Sequence, residues 1–481
     1  MKIPLRNILI IAAFGVIGFT EQALAQAVND ADSHEIVTKL ADKLVDVYPF
    51  PDISAKYSEA LKKAEAAGRY NNLSEDELAS RLTDDLNKAH KDVHLRVMRN
   101  EQVYKSMTEP QAGGGNQRED DSERRANYGF KKVEIDGATS TAYIDAPGPF
   151  YGSKEAFEMA AAAMNMAAYS KYIVIDIRHN PGGTGQMGRF LSSYFYNAGH
   201  EQFYLNGFYK DRKQDEQEWT YAYVPGRRNP DAKVYLLVGR GTGSASEGFA
   251  YAMQKLNRAT IVGDTTAGAG IAGTYVALKN NLIVFTPFKM VVGPGSNVGW
   301  EGTGVIPDVN TGKADALLAA RKLILEDIVK TGKDSITRES AQWVIDNSNM
   351  AANKPVNIKS KYSELIGRYP NNVSITAAKN GLVYKYSVPG KPVETFTLQE
   401  VKPDVLVING LNANIAPNSS RLYVNRNAAG KVESFTRKTM MANGTIYIAP
   451  QPFKTINQIS AGISHKRHRL ILPFRMPVPG H

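Results

Sequence analysis

The chain has no cysteine among its 481 residues. That excludes a disulfide framework, a thiolate nucleophile and any cysteine-ligated zinc or iron–sulfur centre. It agrees with a protein that works in an oxidising compartment. Long apolar runs are also scarce. One stretch, Ile8 to Phe19, is continuous, and no later stretch approaches the ~18 apolar residues of a spanning helix. No membrane span is therefore expected beyond the N-terminus. Neither sign of charge dominates: 58 Lys and Arg face 48 Asp and Glu, a net +10. This permits loose attraction to anionic surfaces, but nucleic acid is not expected as a partner without a concentrated basic face. No internal repeat is visible. Hydrophobic residues at 43% and charged residues at 22% describe a globular chain. Its length suits roughly two to four domains.

The N-terminus combines Lys2 and Arg6, the 12-residue apolar run and Ala23-Leu24-Ala25 before Gln26. A positive region, a short hydrophobic core and an A-x-A site read as a secretory signal peptide over residues 1–25. The expected location is periplasmic or secreted. No cysteine follows the cleavage site, so a lipid anchor at that point is not expected.

Residues 26–100 read as an N-terminal helical domain. Asp32 with Glu35 suggests a capping box ahead of Ile36, Leu40, Leu44 and Val47, and Pro49 and Pro51 end that helix. Ser74 with Glu77 caps another, carrying Leu78, Leu82 and Leu86. Gln111–Arg125 is polar and Gly-rich and reads as a loop. An α/β core is expected over 127–330. Strands are expected at Lys132–Ile135, Thr141–Ile144, Tyr172–Ile177, Val234–Val238 and near Ile261, with helices at Ser153–Ala168 and Ala314–Val329. The wholly apolar strands belong to a sheet covered on both faces. A further helix is expected over 338–347. Residues 355–455 read as a small antiparallel β domain, with turns at Asn380-Gly381, Ala429-Gly430 and Asn443-Gly444. A basic tail follows over 456–481.

Three segments offer chemistry. Asp176-Ile-Arg-His-Asn-Pro-Gly-Gly183 runs a buried strand into a turn with two glycines. Amides freed there either face a ligand oxygen or simply make a tight turn. In the second, strand Lys233–Val238 leads through Gly-Arg-Gly-Thr-Gly243 to Ser244-Ala-Ser-Glu247. That setting exposes a hydroxyl among free amide donors. Ser244-x-x-Glu247 is equally a capping box. The third is Gly299-Trp-Glu-Gly-Thr-Gly-Val-Ile-Pro-Asp308, in which Glu301 is either a functional acid or a plain turn residue. A serine nucleophile needs a base. Of the eight histidines, His94 in Lys91-Asp-Val-His-Leu-Arg-Val97 is the leading candidate, and His179 is a rival. His90 and His94, four apart, could be imagined as a metal pair, but no third ligand accompanies them at helical spacing.

Five ordered segments carry a resemblance. They are Asp92-Val-His-Leu95, Asn127-Tyr-Gly-Phe130, Asp176 to Gly183, Thr242 to Glu247 with Arg258 to Asp264, and Trp300 to Asp308. Over roughly residues 30–325 the chain resembles the C-terminal processing (tail-specific) serine peptidases. It looks most like their bacterial interphotoreceptor retinoid-binding protein-like and tricorn core-like subgroup. The resemblance implies a crotonase/Clp protease-like α/β core. It places Ser244 at the nucleophile position, His94 at the base and Glu301 at the late glutamate. It assigns the oxyanion donors to Ala245 and to Gly182 or Gly183. The lysine of the Ser–Lys branch would stand 25 residues after Ser244, where this chain has Ala269. The serine that precedes the histidine in the tricorn core is Val93 here, with Asp92 as a conceivable substitute. Where many relatives carry His-Pro after the glycine-rich loop, this chain has Ile271-Ala272. Only 33 residues separate His94 from Tyr128, too few for a PDZ module of about 80–100 residues. The implied activity is hydrolysis of peptide or unfolded-protein substrates with no metal and no cofactor. The alternative is a catalytically inactive peptidase fold that binds a hydrophobic ligand or peptide.

Overall fold

The computed structural model describes residues 27–92, 94–109, 121–210, 215–294, 296–352, 356–411, 418–441, 445–449 and 453. Residues 1–25, read as a signal peptide, Val93, most of the Gln111–Arg125 segment, the Asn443-Gly444 turn and the basic tail lie outside the described residues. The chain forms two compact units.

One unit gathers Met1–Asp120, Tyr204–Glu218 and Gly268–Gly304. Its helices are Asp30–Val47, Pro51–Ala66 and Glu75–Ala89. Ile36, Leu40, Leu44, Tyr57, Leu61, Leu78, Leu82 and Leu86 recur at helical spacing and form one core with Leu95 and Val97. Ser74 and Glu77 make the expected reciprocal cap: the Glu77 amide donates to Ser74 Oγ, and the Ser74 amide donates to Glu77 Oε2 at 2.9 Å. The first helix corrects the reading. Asn29 caps it, its side chain accepting the Asp32 amide at 2.8 Å. Asp32 and Glu35 pair instead with Lys279. Pro51 does not merely break a helix; it opens the next one, where its missing N–H costs nothing.

An antiparallel sheet completes this unit. The long strand Leu282–Val292 pairs with Ile271–Ala277 along one edge and with Arg96–Arg99 and Phe203–Phe208 along the other. Asp215–Trp219 lies beyond Phe203–Phe208. The hairpin between Ala277 and Leu282 turns at Asn280 and Asn281, both at positive φ, a conformation asparagine tolerates better than most residues.

The other unit holds Asp121–Phe203, Trp219–Ala267 and Val305 onward. Its core sheet has six strands in the order Val309–Asn310, Ala259–Gly263, Lys233–Val238, Tyr172–Asp176, Thr141–Asp145 and Lys132–Asp136. All pairs are parallel except the last. The strand Tyr172–Asp176 is buried at every residue, as a parallel sheet covered on both faces requires. Helices Lys154–Met166, Gly185–Ser193, Ser244–Lys255 and Ala316–Thr331 alternate with the strands. Asp121–Arg125, read as loop, forms a short helix.

An eight-stranded antiparallel sheet runs from Gly367–Tyr369 to Ile446–Ile448, each strand beside its chain neighbour. Helix Ser335–Ala352 is anchored to it by Arg421. This buried guanidinium donates to Asp346, Asn347 and the Trp343 carbonyl and lies 4.1 Å from the Trp343 ring centroid. The Asn380-Gly381 hairpin is offset by one residue: Ala378 pairs with Gly381, so Lys379 and Asn380 form the loop.

The Ser74 cap is testable. Ser74→Ala removes a side-chain acceptor and should cost about 1 kcal/mol in urea unfolding at neutral pH. The Glu77 carboxyl sits below its usual range because the Ser74 amide and hydroxyl donate to it. Its contribution is therefore present above the ordinary glutamate pKa and fades as pH falls through the lower folded value. Repeating the comparison at acid pH should shrink the mutant's deficit.

Candidate functional site

Ser244 is set by two turns lying side by side. Strands Tyr172–Asp176 and Lys233–Val238 pair in parallel, with Asp176 opposite Leu237. Their carboxyl ends therefore emerge together, the usual place for a ligand in such a sheet. The turns are then tied. The Gly243 amide donates to the Asn180 carbonyl at 3.0 Å. Thr242 Oγ1 donates to the Ile177 carbonyl at 2.7 Å. Ser246, fully buried, donates from Oγ to the Asn180 carbonyl at 2.7 Å and accepts the Gly243 amide at 3.2 Å.

Ser244 opens the helix Ser244–Lys255 and has φ +48°. A non-glycine residue in that region is strained and must be held there by its surroundings. Glu247, fully buried, accepts the Ser244 amide at 2.8 Å. Thr266 Oγ1 donates to the same carboxylate at 2.5 Å while accepting the Val305 amide at 2.7 Å. The capping box is thus half present: its acid holds the Ser244 backbone, while the helix cap position falls on Gly243. Ser244 is only partly buried.

Gly182 and Gly183 have φ of +103° and +133°. A Cβ on Gly182 would stand 2.6 Å from the Gly243 carbonyl oxygen and 2.7 Å from Ser244 Cβ. Only glycine fits there. The Gly182 amide donates to Asn180 Oδ1 at 3.0 Å. Ala245 lies in the first helical turn, where amides have no intrahelical acceptor. His179, the rival base, is exposed in its turn.

His94 belongs to the other unit. Asp92 is buried and organises the chain around His94. Its Oδ1 accepts the amides of His94 at 2.8 Å and Leu95 at 3.3 Å. Its Oδ2 accepts the Tyr48 hydroxyl at 2.9 Å. Burial, with the Asp92 charge beside it, drives the Tyr48 hydroxyl far above its ordinary pKa. Tyr57 is pushed up to about 12, chiefly by burial, with Asp92 and Glu301 adding to it. Both phenols therefore remain donors at any working pH. The His94 ring stacks on Phe285 at 5.7 Å, and its Nδ1 lies 3.9 Å from Asp92 Oδ1.

Glu301 follows the buried Trp300 in a tight turn. The Gly270 amide donates to Glu301 Oε2 at 2.6 Å. The Gly302 amide donates to the Gly268 carbonyl at 2.8 Å. A Cβ on Gly270 would stand 2.7 Å from the Glu301 nitrogen. Asp92, His94 and Glu301 converge: one ligand-type atom from each lies within 4.8 Å of the others. His90 takes a different place. It caps helix Glu75–Ala89, with its ring 6.3 Å from that of Tyr57.

Residues 140–311 match the model of peptidase family S41. Residues 21–127 match the N-terminal domain of Peptidase_S41 in eukaryotic IRBP. A probable CtpA-like serine protease of Staphylococcus epidermidis is 30% identical over 141 residues, 29% of this chain and 27% of that protein. One of Staphylococcus haemolyticus is 30% identical over 137 residues, 28% and 26% of the two chains. The chain thus spans about a quarter of the length of these relatives. Among solved structures, the photosystem II D1 C-terminal processing protease aligns with TM-score 0.40 and 14% identity, over 60% of this chain and 94% of that one. A putative peptidase from Parabacteroides merdae aligns with TM-score 0.44 and 16% identity, over 62% and 97%.

The sequence reading missed Asn180 and Tyr48, while Glu247 makes the backbone bond that its place in the capping box implied. Asn180 had a signal: it precedes Pro-Gly-Gly at the end of a buried strand. Tyr48, 44 positions before Asp92, had none. The geometry separates the two serines. Ser246→Ala removes a fully engaged buried hydroxyl and should cost about 0.5–1.5 kcal/mol in denaturant unfolding, because its bond to the Asn180 carbonyl is lost while the Gly243 amide keeps that carbonyl as a partner.

Proposed function

We propose that this protein is an exported serine peptidase that cleaves peptide bonds in unfolded or extended polypeptides. Ser244 is the nucleophile. His94 takes its proton as general base and returns it to the leaving amine as general acid. Glu301 supports the imidazolium that forms. The Ala245 amide binds the developing oxyanion together with one from the glycine turn. Gly183 is the better second donor, since the Gly182 amide is engaged by Asn180. The charged N-terminal region, apolar run and A-x-A site over residues 1–25 support export.

One observation carries the assignment: the left-handed backbone of Ser244 at the mouth of a strand–turn–helix junction. A serine that served only as a helix cap would have extended backbone, as Ser74 does. Here the neighbouring carboxylate maintains the strain, and the second serine of the motif is consumed by structural bonds. Strain held in place by its surroundings is characteristic of functional positions.

The test is hydrolysis of casein by purified residues 26–481, beside single variants. Ser244→Ala should lose turnover by roughly a thousandfold or more while keeping a near-wild-type thermal transition. His94→Ala should be comparably inactive, and Ser246→Ala should retain much of the activity at a temperature where it is folded. Equal cleavage by wild type and Ser244→Ala would refute the nucleophile. Loss of activity in a folded Ser246→Ala would move the nucleophile to that serine. No cleavage by the wild type would count against a peptidase and favour a binding scaffold.

A further inference from the structure

A general-base histidine needs one carboxylate to orient it. His94 has two. Asp92 arrives from two residues upstream, and Glu301 from a distant turn of the same unit. We propose that Asp92, His94 and Glu301 form a zinc-binding site, and that zinc held there silences the enzyme by occupying the base.

The donor set is the first argument. One imidazole and two carboxylates suit Zn²⁺, which takes His and Asp/Glu ligands and accepts three protein donors plus water. The ligand atoms already lie within 4.8 Å of one another, and His94 Nδ1 is 3.9 Å from Asp92 Oδ1. Tetrahedral zinc with bonds of about 2.0 Å needs ligand atoms about 3.3 Å apart. Metal binding would therefore draw the three side chains together.

The second argument is the shell around the ligands. Metal carboxylates are themselves hydrogen-bonded, which fixes their direction. Asp92 accepts the Tyr48 hydroxyl and two backbone amides, and Glu301 accepts the Gly270 amide. The third argument is charge. Two carboxylates converge beside an imidazole, and among the described residues no lysine or arginine is ion-paired with Asp92. A dication relieves that repulsion better than one proton on the ring.

The binding half of this proposal stands on the geometry alone. The inhibitory half rests on the proposed role of His94. A nitrogen lone pair given to zinc is withdrawn from proton transfer. Zinc would therefore act as a reversible inhibitor, and a chelator would activate rather than inhibit.

The experiment begins with Ser244→Ala at neutral pH, titrated with Co²⁺ and then Zn²⁺. One equivalent of Co²⁺ should raise visible d–d absorption characteristic of a low-coordinate site, and Zn²⁺ should erase it. Glu301→Gln and Asp92→Asn, each checked by circular dichroism for native folding, should lose the band. Tyr48→Phe should weaken binding about tenfold or more. His34→Ala, a histidine elsewhere on the surface, should bind as before. No band at one equivalent in folded Ser244→Ala, or a band undiminished in both folded carboxylate variants, overturns the site. On wild-type enzyme, Zn²⁺ near its dissociation constant should halve casein hydrolysis, with full recovery on adding EDTA. Stoichiometric binding with undiminished hydrolysis overturns the inhibitory half alone. Binding by a wild type that hydrolyses nothing refutes the peptidase reading and leaves the zinc site standing.

Discussion

The parallel register between Tyr172–Asp176 and Lys233–Val238 is the constraint on which the setting of Ser244 depends. It delivers two glycine-rich turns to one place at one level. Everything local follows from how closely they then pack. Asn180 is the knot: its carbonyl receives the Gly243 amide and the Ser246 hydroxyl, and its side chain bonds the Gly182 amide and the Ala146 carbonyl. With the turns so tied, Gly182 has no room for a Cβ, and Ser244 is forced into a left-handed backbone. Glu247 then compensates by accepting the Ser244 amide in that conformation. A capping motif has been redirected to hold the chain at an unfavourable φ.

The setting of His94 follows the same logic with different means. No strand pairing fixes His94 itself; the strand Arg96–Arg99 begins two residues later. Its backbone is fixed by Asp92, whose carboxylate folds back onto the His94 and Leu95 amides. Tyr48 in turn fixes Asp92 from the end of the first helix. The ring is then seated on Phe285, from the central strand of the antiparallel sheet. A buried phenol and an aromatic face thus do what a regular ladder does elsewhere.

Local patterns were the legible part. Buried strands, the Ser74 cap, the glycine turns and most helices show in periodicity and turn chemistry. Each depends on residues within a few positions of one another. The antiparallel sheet of the first unit was not legible, because it joins Arg96–Arg99 to Leu282–Val292 across most of the core sequence. No local rule sets such a register. The Asn29 cap was missed because two acids nearby made an equally good local pattern, and Lys279 claimed them from a distance. Ser244 shows the limit most clearly. Ser-x-x-Glu is one string with two meanings, and only the sign of φ distinguishes them.

The convergence of Asp92 and Glu301 on His94 raises the question of what a second carboxylate adds. As an orienting device it is redundant, since Asp92 already fixes the local backbone. Electrostatically it is costly, because two like charges near one ring repel. Either a proton on His94 or a dication relieves that repulsion, and each uses a ring nitrogen. The feature that would stabilise imidazolium during catalysis is therefore the same one that would attract zinc. A site of this kind cannot be tuned for one without the other. Glu301 is the residue through which both would change, because it comes from a distant turn and accepts the Gly270 amide, whereas Asp92 is built into the backbone around the histidine.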